Sequence, residues 1–204
     1  MGAFLVSVGA AAHGAQAAVD QLGRMGFSGQ KRLGGMYAET VIFPRRMETA
    51  AEIYQHPTDG FAFGVGVFFY EGLTGTDALR RIYHSFQGSP NLFDHIVGQF
   101  AIVVQKGDVL CVANDTPGLF QVFIDRERGL ISSSWLALAA SSDGNRLCAQ
   151  AVLEYIFTGA VLGEDTLFAN IDLLPFGRTI VVKNGTLQYV PREMQSPQGN
   201  ARSE

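Results

Sequence analysis

Residues 96–113 read IVGQFAIVVQKGDVLCVA. Two apolar runs, residues 98–105 and 109–113, flank Lys106-Gly107-Asp108, and a short connection containing glycine between such runs is typical of a β-hairpin. Residues 120–124 and 130–133 repeat the pattern. This central stretch therefore predicts four consecutive antiparallel strands.

Strand patterns also lie on both sides of the central stretch. Asn184-Gly185 separates two apolar runs near the end of the chain and is the strongest two-residue hairpin signal. Residues 61–70 are rich in aromatic residues and valine, which predicts a strand buried on both faces. The other predicted strands are residues 3–8, 36–38, 40–43, 178–183 and 186–190.

Apolar residues at helical spacing predict four helices between these strands. In the last of them, Val152, Leu153, Ile156 and Phe157 share a face, which predicts a helix packed over the sheet. Strands and helices together predict one α+β domain over residues 1–191, and the polar residues 192–204 predict a disordered tail. The predicted helices cover residues 15–25, 79–86, 135–140 and 149–157.

The amino-acid composition favours some classes of protein and excludes others. Charged residues make up 17% of the 204-residue chain, below the typical value of about 25%, so we expect a buried interface with a second copy or a different partner. The net charge of −4 provides no basic field for nucleic acid. Cys111 and Cys148 form neither a disulfide framework nor a zinc pattern, which favours a cytoplasmic location. The apolar start at residues 3–12 is too short to span a membrane.

Three stretches, in the same order along the chain, resemble motifs of a known family. They are IVGQFAI at residues 96–102, the series of residues 114–134 that includes Asp115, and DTLFANIDLLPFG at residues 165–177. They are similar to the N-terminal glutaminase domain of asparagine synthetases, which are class II glutamine amidotransferases among the N-terminal nucleophile hydrolases. The resemblance covers about residues 60–190 and implies a four-layer αββα sandwich of two antiparallel sheets flanked by helices. In the first motif Gly98 would let another backbone pass closely.

The residues that the family uses for catalysis are not matched. Its nucleophile is a cysteine with a free α-amine as base, whereas this chain starts Met1-Gly2. Its oxyanion hole contains an Asn-Gly pair, and the matching strand end here has Gly66-Val67. The sequence also contains no Ser-Gly-Gly-x-Asp-Ser motif of an ATP-pyrophosphatase.

The resemblance nevertheless implies a vestigial glutamine pocket. The carboxylate-binding arginine of the family would correspond to Arg32, Arg45 or Arg46. Asp115 is expected to fix a turn by accepting backbone N–H groups. The predicted pocket consists of Gly2, Arg45, Arg46, Gly66, Val67 and Asp115, with no catalytic residue, metal or cofactor.

Other reactive side chains have simpler structural interpretations. The four histidines, His13, His56, His84 and His95, are scattered and are expected to be solvent-facing or capping residues. Cys111 fits a core position, residues 132–134 (SSS) fit the turn at a strand end, and residues 68–70 (FFY) fit ordinary core.

The leading hypothesis is a catalytically inactive glutamine amidotransferase-like domain, a pseudoenzyme that is the structural or docking partner of a separate asparagine-synthetase-like enzyme. A homodimer is the other partner hypothesis. Two alternative functions remain open. The first is an amidohydrolase with a relocated nucleophile such as Cys148, whose thiol would benefit from its place at a helix start. The second is a small-molecule sensor that uses the vestigial pocket.

Overall fold

The computed structural model describes residues 2–9, 14–35, 37–44, 53–142, 144 and 146–193. Within this part of the chain, twelve strands form two six-stranded sheets, and every strand pair is antiparallel. The strands are β1 (Ala3–Val8), β2 (Lys31–Gly34), β3 (Ala38–Phe43), β4 (Ile53–His56), β5 (Gly60–Phe69), β6 (Val97–Lys106), β7 (Val109–Asn114), β8 (Phe123–Asp125), β9 (Leu130–Ser132), β10 (Ile171–Leu173), β11 (Arg178–Lys183) and β12 (Thr186–Pro191).

The first sheet has the strand order β10-β8-β9-β1-β3-β2, and the second has the order β12-β11-β7-β6-β5-β4. Four α-helices and one 3₁₀ helix accompany them in the described residues. The helices are α1 (Ala15–Arg24), α2 (Gly75–Ser85), the 3₁₀ helix Pro90–His95, α3 (Trp135–Ala140) and α4 (Ala149–Thr158).

Three apolar clusters hold four layers together. Between the sheets, the ring of Phe4 on β1 meets that of Phe63 on β5 edge to face at 5.5 Å. Behind the second sheet, α2 lies against β4 and β5, and its Leu79 and Ile82 join the apolar cluster on that face. Behind the first sheet, α1 and α3 cover β1, β8 and β9. Because each sheet buries apolar residues on both faces, the chain forms the predicted αββα sandwich.

Both strongest hairpin predictions are confirmed. β6 and β7 pair with Lys106 opposite Val109, and β11 and β12 turn through Asn184 and Gly185. These two residues have φ angles of 51° and 73°, the left-handed backbone that a tight two-residue hairpin requires.

The four predicted consecutive antiparallel strands form as two hairpins, which belong to different sheets. β6 and β7 belong to the second sheet, whereas β8 and β9 form a hairpin in the first. The edge of β7 that β8 would have extended is instead paired with β11. A hairpin pattern identifies local partners but not the sheet to which the hairpin belongs.

Two further sequence predictions need correction. In the predicted strand at residues 36–38, Tyr37 belongs to no strand and Ala38 begins β3, whose hairpin partner is β2; Met36 lies outside the described residues. β5 is not buried on both faces along its whole length, since Val67 and Phe69 near its end are exposed. β4, β10 and the 3₁₀ helix, all short, were not predicted.

The fourth predicted helix forms, but its predicted packing is wrong. Of the four residues expected to face the sheet, Leu153, Ile156 and Phe157 are exposed and Val152 is only partly buried. Helical periodicity shows that a face is apolar, and it does not show what covers that face. No helix in the described residues is long and apolar enough to cross a bilayer.

Candidate functional site

The start of β1 is anchored inside the first sheet by two serines. The backbone N–H of Phe4 donates to Ser133 Oγ at 3.1 Å, and Ser132 Oγ donates to the Phe4 carbonyl at 2.8 Å. Gly2, just before the strand, is buried. Ser134 caps α3 by accepting the N–H of Ala137. The expected strand-end role of residues 132–134 is therefore confirmed.

The position of β1 in the sandwich identifies the end at which Gly2 lies. Val8, at the other end of β1, is paired with Ala38. Ala38 in turn lines a narrow gap together with Gln105 and Gly107 at the β6–β7 turn. Val8 therefore lies at the end of the sandwich that holds the β6–β7 turn. Because strands of two face-packed sheets run roughly aligned, Gly2 lies at the other end of the sandwich, where β5 ends and β6 begins.

Three more residues of the predicted pocket lie at this same end, on neighbouring strands of the second sheet. Phe100 connects two of them: it is paired with Gly66 on β5, and its carbonyl accepts the Asp115 N–H at 3.0 Å. Val67 is paired with Gln99. The structure thus brings Gly66, Val67 and Asp115 together, whereas Arg45 and Arg46 lie outside the described residues.

Arg32, the third candidate for a carboxylate-binding arginine, is engaged elsewhere. Its guanidinium makes an exposed ion pair with Glu39 at 3.1 Å and donates to Gln16 Oε1 at 3.1 Å. Arg32 therefore joins β2, β3 and α1 at the surface.

The pairing of β5 with β6 depends on two glycines at the site. Gly66 and Gly98 have φ angles of 101° and 136°. A Cβ atom on Gly66 would overlap the Gln99 carbonyl oxygen, and one on Gly98 would overlap the Val67 carbonyl oxygen. The close backbone approach expected at Gly98 is confirmed.

Asp115 organises the turn after β7. Its carboxylate accepts the backbone N–H groups of Leu119 at 2.8 Å and Phe120 at 2.7 Å, while its carbonyl accepts that of Gly118. The side chain is buried, so these charge-assisted bonds replace its hydration. Asp115 has the predicted turn role, and this turn directs the chain from the second sheet to the first.

A buried ion pair lies next to this turn and was missed by the sequence analysis. The guanidinium of Arg192 is 3.7 Å from the Asp94 carboxylate and donates to the Asn114 carbonyl at 3.0 Å. Burial raises the pKa of Asp94, although Arg192 opposes that shift, and burial lowers the pKa of Arg192. The sequence analysis assigned Arg192 to the disordered tail because nothing local marks it for burial; residues 194–204 lie outside the described residues.

Apolar side chains are exposed at this end of the second sheet. On β5, alternate side chains point toward the first sheet, and Phe61, Phe63 and Val65 are buried between the sheets. Val67 and Phe69 continue this alternation, but the first sheet does not cover them and they are exposed. Val97, which pairs with Phe69, is 70% exposed. We call Val67, Phe69, Val97 and Leu119 the end surface. Gln99 connects two of its members, since it pairs with Val67 and donates its side-chain amide to the Leu119 carbonyl at 3.3 Å.

The two cysteines differ in burial. Cys111 is in the core behind the second sheet, and burial raises the pKa of its thiol to about 12. Cys148 is partly buried and is the N-cap residue of α4, which confirms its predicted position at the start of a helix.

The prediction that the histidines are scattered is wrong for two of them. His56 on β4 stacks on Tyr83 at 5.4 Å, and the His84 ring lies 6.2 Å from that of His56. His84 Nε2 is also 3.2 Å from the Tyr54 hydroxyl. Packing of α2 beside β4 brings them together. Within the described ranges, no three His, Cys, Asp or Glu side chains are grouped to hold a metal, and His13 is not among the described residues.

Two surface clefts among the described residues are lined by residues other than those of the end surface. One, of about 430 Å³, is lined by Arg126, Arg128 and Tyr189. Its arginines are already ion-paired, with Asp172 at 3.0 Å and Asp125 at 2.7 Å. The other, of about 610 Å³, lies between α1 and the end of β3.

Comparison with known proteins identifies the fold. No protein-family model and no curated protein matches the sequence. A solved structure described as the allosteric regulatory enzyme of purine biosynthesis superposes on 96% of the chain with a TM-score of 0.56 and 11% identity. A glutamine phosphoribosylpyrophosphate amidotransferase from B. subtilis, complexed with ADP and GMP, superposes on 96% with a TM-score of 0.50 and 10% identity. The chain spans about half of each of these structures, as 50% of each is covered. The chain therefore shares its fold, two antiparallel sheets with helices outside, with about half of each of these two structures, one of which is a glutamine amidotransferase.

Proposed function

We propose that this chain is a catalytically inactive glutamine amidotransferase-like domain that docks on a separate asparagine-synthetase-like enzyme. The observation that carries the proposal is the start of β1. By the family resemblance the nucleophile position corresponds to Gly2, which lies directly before β1 and has no side chain that can attack an amide.

The hydroxyl groups nearest to the start of β1 do not replace the missing nucleophile. Ser132 Oγ donates its proton to the Phe4 carbonyl, and Ser133 Oγ accepts the Phe4 N–H. A serine attacks an amide only when a base removes its proton, and these two hydroxyls serve the backbone instead. Cys111 is excluded because its raised pKa keeps the thiol protonated at neutral pH.

Stabilisation of a tetrahedral intermediate is also weakened. At the strand end where the family has an Asn-Gly pair, this chain has Gly66-Val67, and neither side chain offers an amide donor. Losing one oxyanion donor typically lowers kcat by about 10² to 10³. Two independent deficits, one in the nucleophile and one in the donor, support a non-catalytic role.

The end surface supports docking. It is an apolar extension of the core beside Gly2, in a chain with only 17% charged residues. Large contiguous apolar patches are rare on the surface of monomeric proteins, and where they occur they often mark interaction sites. In the two matched structures a region of this fold occupies half of a longer chain, which supports a partner that supplies a second module.

Ammonia release from glutamine tests the inactive state. The wild type and a Cys148→Ala variant should both release no more ammonia than a buffer control. A glutamine analogue with an electrophilic diazoketone should leave the intact mass of the protein unchanged. Ammonia release that disappears in Cys148→Ala would instead establish a relocated nucleophile and refute the proposal.

Docking is tested by sedimentation with an asparagine-synthetase-like enzyme from the same source. We expect a complex with the wild type and a Kd raised by at least about tenfold in Val97→Glu, because a carboxylate would be desolvated in an apolar interface. Phe157→Glu, an equally exposed apolar-to-acidic change on α4, is the matched control and should bind normally. Failure of the wild type to bind would remove the docking role.

A further inference from the structure

β12 is one of the four strands at the edges of the two sheets, and it differs from the other three in being unprotected. β2 carries Lys31 and Arg32, β4 has four residues and lies against α2, and β10 has three residues. Charge, short length and a covering helix are common features that keep an edge strand from pairing with another chain. β12 has six residues and no charge, and its one strand neighbour in the described part of the chain is β11.

The turn before β12 determines which of its backbone groups face outward. In a two-residue hairpin the residues that flank the turn bond to each other, and so does every second pair along the strands. Here Lys183 pairs with Thr186, so Gln188 also bonds to β11. The Arg192 N–H continues this alternation, since it donates to the Gly177 carbonyl at 2.8 Å. The residues between these positions direct their backbone groups away from β11.

Leu187 and Tyr189 are the outward-facing residues inside β12. Each directs one N–H and one C=O group away from β11, and none of these four groups bonds to another residue that the structure describes. Pro191 is the next outward position, where its missing N–H leaves no donor unpaired. Alternating donors and acceptors at the spacing of a strand are matched by the backbone of another strand. The edge therefore fits an extended polypeptide segment rather than a helical one.

The cleft of about 430 Å³ lies beside the inward face of this strand. Leu187 and Tyr189 line it together with the β8–β9 turn of the first sheet. A strand added to an edge places its alternate side chains on the same face as those of its neighbour. A segment paired with β12 would direct every second side chain toward the cleft, and pockets for alternate side chains give this mode of recognition its specificity.

The charged side chains that line the cleft already have partners within the chain. These ion pairs are Arg126–Asp172 at 3.0 Å, Arg128–Asp125 at 2.7 Å and Glu127–Arg146 at 3.8 Å. The guanidinium of Arg126 also lies over the Tyr189 ring, 4.5 Å from its centre. Because these charges are paired internally, the cleft favours uncharged side chains.

We propose that β12 is the acceptor for an extended segment of a partner polypeptide, which adds as a strand to the second sheet and directs uncharged side chains into the cleft. A second copy of this chain fits less well. The inward side chains of its β12, Leu187 and Tyr189, pack against its own core and are not free to enter the cleft. The acceptor is independent of the proposed docking role, since it uses residues other than those of the end surface.

A strand peptide tests the acceptor. The probe is a synthetic peptide of residues 178–183 (RTIVVK), the sequence that pairs with β12 within the chain and carries a charge at each end. In a ¹H–¹⁵N titration the amide signals of Leu187 and Tyr189 should shift, and their hydrogen exchange should slow. A Kd on the order of 1 mM is expected for a few backbone hydrogen bonds. The same peptide with every backbone amide N-methylated keeps its side chains but cannot donate, and it should not bind.

Two substitutions at Leu187 separate the contribution of the backbone from that of the side chain. Leu187→Pro removes the outward N–H at an edge position where proline is tolerated, whereas Leu187→Ala shortens the side chain and keeps the N–H. The Kd of the peptide should rise by at least about tenfold in Leu187→Pro and by less than about threefold in Leu187→Ala. Val97→Glu, which tests docking at the end surface, should leave the Kd unchanged. Circular dichroism verifies the fold of each variant.

Absence of shifts at Leu187 and Tyr189, or equal binding of the N-methylated peptide, would overturn the inference. Self-association of the wild type that Leu187→Pro abolishes would also overturn it and would assign β12 to a homodimer. If Leu187→Pro does not fold, the comparison of the two peptides on the wild type still decides.

Discussion

Replacing Gly98 with alanine tests the close approach of β5 and β6 at the site. Gly98 has a φ of 136°, a region that residues with a Cβ rarely adopt. Holding alanine there costs about 1–3 kcal/mol. The new Cβ would also overlap the Val67 carbonyl oxygen and lie 3.0 Å from the Phe68 Cα. Both are backbone atoms, so the two strands must separate rather than a side chain rotate.

Strand separation adds a second cost. Weakening one or two ladder hydrogen bonds contributes about 1–2 kcal/mol, so the total loss for Gly98→Ala is about 2–5 kcal/mol. For a chain of this size each kcal/mol lowers Tm by about 2–4 °C, which makes a fall of about 4–20 °C the expected result. Urea unfolding followed by circular dichroism measures the free energy directly.

Substitutions at two other glycines separate the cost of backbone strain from the cost of the backbone overlap. Gly72 has a φ of 76° with open space around its Cβ position, so Gly72→Ala reports backbone strain alone, about 1–2 kcal/mol. Gly34 has no neighbour within 4 Å and lies on an exposed strand, so Gly34→Ala should change stability by less than about 0.5 kcal/mol. If Gly98→Ala were no more destabilising than Gly72→Ala, the backbone overlap would not affect the free energy of unfolding, which would refute the prediction.

Three further predictions concern buried polar and thiol groups. Asp115→Ala should lower the free energy of unfolding by about 2–3 kcal/mol, since two buried N–H groups lose a charged acceptor; urea titration beside Asp115→Asn, which keeps an acceptor and should lose less, checks this. Arg192→Met should cost about 3–5 kcal/mol at neutral pH because Asp94 stays buried without its cation, and adding Asp94→Leu should restore most of the loss. Burial holds the pKa of Asp94 above its unfolded value, so the Arg192→Met loss should be small below about pH 4, where the carboxyl is protonated in both states. It should grow as pH rises from the unfolded pKa of Asp94 to its raised folded pKa and level off above that, and a loss that is independent of pH would contradict the assignment. Cys111 should resist a thiol reagent in the folded protein at mildly alkaline pH, because its pKa is raised to about 12, while Cys148 reacts; equal rates in a time course would disprove the difference.

The sequence alone was sufficient for the local elements and the layer architecture. Apolar runs separated by Lys106-Gly107-Asp108 and by Asn184-Gly185 identified two hairpins, and motif order implied the αββα sandwich. Gly98 was marked as a point of close backbone approach, and Asp115 as a turn residue. The hairpins and the Asp115 turn depend on neighbours in the chain, so local patterns report them, whereas the layer architecture and the close approach at Gly98 were implied by the family resemblance.

Only the tertiary structure decided which surfaces are covered and which distant groups meet. It placed β8 and β9 in the first sheet, buried Arg192 against Asp94, joined His56 to His84, and left the predicted core face of α4 exposed. The physical reason is that periodicity along the chain fixes the direction of each side chain, whereas burial and pairing depend on elements that are remote in sequence.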